Sequence, residues 1–205
     1  RCPAFYRPEL ADAIVKALAL NARWQIRRLK PFADRVIIFI DEPYLSSVGS
    51  AVIALKAEDA RGKIDEVAAA VHAEGALAGV HCCANTDWSI LAGSSVDIIS
   101  FDAYGYAKNL LLYAAAIKKF LDRGGCLAWG IVPSSPEADQ ETGETLFSRL
   151  SESFGKLSSA GIAPETILRQ SLITPSCGMG TLAPSLSDRI LGLVVTVSDK
   201  VRSEK

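Results

Sequence analysis

Methionine is nearly missing from this chain, histidine is scarce, and neither sign of charge predominates. The 205 residues include a single methionine, Met179, two histidines and a formal net charge of −1. Lysines and arginines lie scattered among acids and form no stripe, so the sequence lacks the field that gathers nucleic acid or acidic lipid, and nucleic-acid binding is set aside. Long apolar runs are missing too. Stretches such as 110–117 and 190–197 fall far short of the roughly 20 residues that span a bilayer, and no membrane anchor is expected. No basic segment followed by an apolar one opens the chain, and five cysteines make an odd number. Both points disfavour a secreted disulfide framework, which leaves a reducing, cytoplasmic setting as the expectation. Because the chain opens on Arg1, the reading expects one domain over 1–205 that is incomplete at its N-terminal side.

What is present fits a single α/β domain, since 49% of the residues are hydrophobic and can supply a real core. Five short β-branched, apolar runs read as buried parallel strands, at 36–40, 76–81, 96–101, 126–132 and 171–174. Segments of helical spacing alternate with them, at 8–29, 57–74, 108–123, 144–160 and 185–201. Pro8 suits a first helical turn, and Gly75, Gly124 and Gly161 follow helices where a left-handed cap is useful. Alternation of this kind implies a parallel sheet covered by helices, either an open doubly wound sheet or a closed barrel. No glycine-rich phosphate loop follows a strand, which weakens the nucleotide-binding versions of the open sheet. Unusual residues gather instead at strand ends: Asp41-Glu42-Pro43, His81-Cys82-Cys83, Asp102 and Cys177. In a barrel those ends converge on one mouth, so the expected fold is a (β/α)8 (TIM) barrel of which this chain carries the last five βα units. Five units alone leave a sheet edge for another subunit to pair, which keeps an oligomer open. The serine-, glycine- and acid-rich stretch 134–144 reads as a mobile loop on the catalytic side, placed to act as a lid.

His81 and Cys83 stand two residues apart at a strand end, where extended backbone points both side chains the same way. Cys177, between Pro175 and the pair Gly178 and Gly180, follows the last strand on a backbone free to bend back over the mouth. Two thiolates and an imidazole select zinc over magnesium or calcium, and three ligands leave one position for substrate. From spacing alone a second reading stands equally: both cysteines as small buried hydrophobes and His81 as a hydrogen-bonded strand-end residue. Cys82 points away from its neighbours, and with Cys2, Cys126 and the helical His72 it is read as structural.

Four segments taken in order resemble the catalytic barrel of cobalamin-independent methionine synthases, within a wider grouping that includes uroporphyrinogen decarboxylase. They are IDEPYL at 40–45, HCC at 81–83, DIISFDA at 97–103 and TPSCGMGT at 174–181. The resemblance implies a zinc-dependent S-methyltransferase that converts homocysteine to methionine, with His81, Cys83 and Cys177 as metal ligands. Asp102 stands where the family has a ligating glutamate, one methylene longer, and is expected as a fourth, catalytic ligand. Asp41 matches the aspartate that contacts the homocysteine amino group, and Glu42 beside it joins the substrate-binding set. Trp88, Tyr104 or Trp129 can be read as lining the apolar part of the cleft, although an aromatic near a strand end is more often core. Val132 to Pro136 and Met179 to Leu182 depart from the family's donor-side segments, so the methyl donor is expected to be a methyl-tetrahydrofolate or a methyl-corrinoid. Two alternatives remain: a methyltransferase acting on another thiol such as coenzyme M, and a barrel that binds a small molecule or metal without turnover.

Overall fold

The structure, a computed structural model, describes residues 4–48 and 55–204; Cys2 lies outside them. Five parallel strands form one sheet in strictly sequential order: β1 (Ile37–Asp41), β2 (Leu77–Cys82), β3 (Ile98–Phe101), β4 (Cys126–Val132) and β5 (Ser171–Pro175). Each expected strand is present, β4 with the expected bounds and the others shifted by a residue or two at one or both ends. Right-handed crossovers between strands laid down in sequence put their helices on one face, and the burial pattern agrees. Ile38, Val80, Cys82, Ile99, Phe101 and Trp129 join helix residues in one apolar cluster. The alternating residues between them point the other way, and none of those belongs to that cluster.

The helices are α1 (Pro8–Leu29), α2 (Ala57–Ala73), α3 (Trp88–Ala92), α4 (Ala103–Leu111), α5 (Ala114–Asp122), α6 (Gly143–Ser159), α7 (Pro164–Arg169) and α8 (Pro184–Ser203). On α1 the buried residues Ala11, Val15, Ala22 and Ile26 recur at helical spacing. Glu74, just past α2, accepts hydrogen bonds from Arg23 Nε and Arg27 Nη2 of α1, each at 2.8 Å, and locks the two helices. Gly75, Gly124 and Gly161 all have positive φ, at 68°, 95° and 89°, as their place after helix ends requires. No helix among the described residues is long and apolar enough to cross a membrane.

Two expectations about elements are corrected. The helix expected over 108–123 is two helices: α4 begins earlier, at Ala103, and the chain turns at Leu112 and Tyr113 before α5. Asp102 explains the early start, because its carboxylate accepts the Gly105 amide at 2.8 Å and caps α4. The stretch read as a lid is instead fastened. It forms a 3-10 turn, Pro136–Gln140, and Arg189 of α8 donates to the carbonyl oxygens of Ala138, Asp139 and Glu141 at 3.0, 3.2 and 2.9 Å. The buried Glu141 carboxylate in turn accepts from Tyr104 Oη at 2.8 Å and from Thr145 Oγ1, and it pairs with Arg149 at 3.4 Å.

Candidate metal centre

His81 is the fifth residue of β2, level with Asp41 on β1 and Ser100 on β3. That register puts all three on the open face, away from the helices. Cys83 follows one residue after the strand ends, and Cys177 two residues after β5. One nitrogen of His81 and the sulfurs of Cys83 and Cys177 all lie within 4.8 Å of one another. The expected triad is therefore assembled, from strands that are not neighbours in the sheet.

Whether these atoms suit a soft metal is answered by the imidazole. Nδ1 of His81 lies 2.9 Å from Ser100 Oγ, whereas Nε2 is buried without a hydrogen-bond partner. With Nδ1–H donating to the serine, Nε2 presents a lone pair and nothing to share it with, an arrangement that costs stability unless a ligand takes it up. Burial lowers the His81 pKa, against an opposing pull from the charges of Asp41 and Asp102, and so favours the neutral ring that a cation needs. Burial also raises the Cys83 thiol, and the adjacent Cys177 adds to the rise. A thiol that resists ionisation alone, as Cys83 does, is suited to giving up its proton to a bound divalent cation. The donor set fits zinc.

A close approach of backbone brings Cys177 into range. The β4–β5 ladder shifts register between Gly130 and Val132. A methyl group at Gly130 would stand 2.5 Å from the Phe101 carbonyl oxygen and 2.7 Å from Ser176 Cα, so the chain before Cys177 passes over a residue with no side chain.

The remaining expected residues are placed differently. Asp102 lies outside the group of mutually close donors; its carboxylate is held over the first turn of α4, and burial raises its pKa. A methyl group at Gly105 would stand 2.8 Å from its Oδ2, so this seat too depends on a glycine. Asp41 is exposed at the rim, level with His81. Glu42 is turned toward its own loop, where it accepts the Tyr44 amide at 3.3 Å, while its backbone N–H donates to the His81 carbonyl at 2.9 Å.

The aromatic expectation is corrected. Trp88 and Trp129 are wholly buried on the helix face, in an edge-to-face chain Trp88–Phe101–Trp129–Phe154 with centroids 5.6, 5.0 and 5.2 Å apart, and Tyr104 is tied to Glu141. None of them lines a cleft at the triad, because the two-residue period that aims His81 at the open face aims Trp129 the other way. Cys82 is buried as expected, and His72 pairs with Asp97 at 2.8 Å on the surface. Cys126 is half-buried at the start of β4.

Sequence reasoning passed over Ser100 and Ser134. The first had a signal, since it lies two residues before Asp102 on a strand of period two. The second had none, because its contacts join two loops far apart in the chain. A shallow groove lined by Phe147, Phe154, Pro164 and Ile167 runs between α6 and α7 and shares no residue with the triad. Compared with protein-family models and with curated proteins, the sequence matches none.

Proposed function

We propose that this chain is the metal-bearing part of a (β/α)8 barrel and that it methylates a thiol, with homocysteine as the substrate its motifs best resemble and zinc as its cofactor. The observation that carries the reading is the meeting of His81, Cys83 and Cys177 within 4.8 Å, one buried imidazole nitrogen among them having no partner. The barrel is supported by the sequential strand order and by large apolar residues left exposed on the open face, Ile37, Phe39, Leu77 and Leu172. Apolar stripes at four-residue spacing also face outward on the first and last helices, Leu10, Ile14 and Leu18 on α1 and Leu191 and Val195 on α8. Further βα units beside β1 and β5 would cover both sets.

In this mechanism Ser100 holds the His81 ring in the tautomer that leaves Nε2 free. His81, Cys83 and Cys177 would hold zinc there, and it would supply the Lewis acidity needed to ionise a substrate thiol at neutral pH, where a free thiol of pKa about 8.5 is only a few per cent ionised. Asp41, exposed beside His81, anchors the substrate ammonium by a charge-assisted hydrogen bond. As the new S–CH3 bond forms, the donor's N–CH3 or Co–CH3 bond breaks and its electron pair stays with the donor; the thiol proton leaves to solvent, and a folate nitrogen takes one up from solvent in turn, whereas cobalt keeps the pair alone. Asp102, engaged as the α4 cap, orders the wall of the site and adds negative charge near His81.

Zinc content of the purified protein, beside Cys83→Ser and Cys177→Ser, is the deciding measurement, followed by methylation of homocysteine and coenzyme M with a methyl-folate and a methyl-corrinoid. Near-stoichiometric zinc, lost in both variants, with product formed from homocysteine, is the expected result. No zinc after metal supplementation overturns the mechanism. Zinc without turnover on any thiol favours a binding protein, a reading to which the capped Asp102 lends some support.

A further inference from the structure

Ser134 makes an unusual set of contacts for a loop residue. Its Oγ accepts a hydrogen bond from the Cys177 amide at 3.0 Å and donates one to the Cys177 carbonyl at 2.8 Å, while its own amide donates to Ser176 Oγ at 2.9 Å. One hydroxyl thus grips both backbone polar groups of a residue whose side chain belongs to the triad. Cys177 is itself exposed and lies beyond the last ladder pairing, Val132 with Pro175. Ser176 just before it donates its amide to the Val132 carbonyl at 2.8 Å, and Gly178 and Gly180 follow. Ser134 in contrast sits two residues past β4 in a segment that Arg189 pins to α8. The clamp ties Cys177 to a fastened loop.

We infer that Ser134 is a positioning residue for the metal centre: it fixes the Cys177 backbone so that the thiolate meets His81 and Cys83 with little freedom left to lose. This rests on the metal reading given above. A ligand that must be ordered at the moment of binding lowers affinity by the entropy of that ordering, and pre-ordering restores it. Residues that orient a metal ligand by hydrogen bonds are worth about ten- to a hundredfold in metal affinity.

The experiment is zinc affinity by chelator competition on wild type, Ser134→Ala, Ser134→Thr and Ser176→Ala, with cobalt(II) as a spectroscopic probe of thiolate coordination. Ser134→Ala is expected to weaken zinc by about tenfold or more and to reduce the thiolate-to-cobalt absorption, and Ser134→Thr, which keeps the hydroxyl, to recover most of both. Ser176→Ala removes one bond between the same loops but leaves both contacts with Cys177, so a change below about threefold is expected. Wild-type affinity and spectrum in Ser134→Ala overturn the inference while leaving the metal centre intact. Equal losses in Ser134→Ala and Ser176→Ala also overturn it, since they mark simple loop fastening. Should wild type bind neither metal, the metal reading fails and this inference with it. If Ser134→Ala does not fold, Ser134→Gly takes its place in the comparison.

Discussion

The two faces of the sheet follow different rules although they alternate along the same strands. Leu127 on β4 and Leu172 on β5 are alike in chemistry and close in space, yet Leu127 is 1% exposed and Leu172 41%. On the helix face, size and branching decide what is accepted: Phe101, Trp129, Leu127 and Ile131 fill the space under α4, α6 and α8. The open face is small in its middle, with Gly79, Ala128 and Gly130; His81 stands near the C-terminal end of its strand, and Cys83 and Cys177 just past theirs. Stability resides on one face and chemistry on the rim of the other, so substitutions can test one with little change in the other.

The largest effect is expected from Leu127→Ala, which opens a cavity under the helices and should cost about 2–5 kcal/mol in denaturant unfolding with zinc affinity per folded molecule unchanged. A smaller loss, about 1–3 kcal/mol from overpacking, is expected for Gly130→Ala; here zinc affinity should fall as well, because the added methyl displaces the chain leading to Cys177. Retained affinity in that variant would break the link between the bulge and the centre. Ser100→Ala should leave unfolding nearly unchanged and weaken zinc about tenfold by freeing the His81 ring, as read by chelator competition.

Acid sensitivity belongs to the helix side. The guanidinium groups of Arg27 and Arg23 hold the Glu74 carboxyl down from its ordinary 4.5 to about 2. A depressed carboxylate stabilises the fold above its unfolded pKa and ceases to do so as pH falls from about 4.5 toward about 2. Glu74→Gln should flatten the unfolding profile in that window and nowhere else. The smallest effect is expected from Leu172→Ala, within about 0.5 kcal/mol; a cost near that of Leu127→Ala would show that the open face is packed after all.

Much of this contrast was legible in the sequence. Short β-branched, apolar runs located all five strands, and the two-residue period of extended backbone aimed His81 and Cys83 at one face and Cys82 at the other. Proline and glycine around Cys177 announced a bend. Short helices escaped: α3 and α7 span barely more than a turn, too little for a helical period to show. Reading 134–144 as a lid failed because composition reports solubility, while the fastener, Arg189, comes from a distant helix. The tryptophans were assigned to a cleft by proximity to strand ends, although parity along β4 already pointed Trp129 inward. Asp102 shows the deeper limit, for an acid before a helix reads equally as cap or ligand until its neighbours are known.

The sequential strand order also bears on how the molecule comes into being. Each strand pairs only with the strand before it and the one after, a few dozen residues away, so no stage of assembly waits on the closure of a very long loop. A chain emerging from the ribosome can add one strand at a time to a growing edge. On that schedule His81 and Cys83 are in place first, and Cys177, which follows β5, joins them three strands later. A chain that stops short of β5 would hold only His81 and Cys83 of the triad, so a complete triad would report that the fifth strand had been laid down.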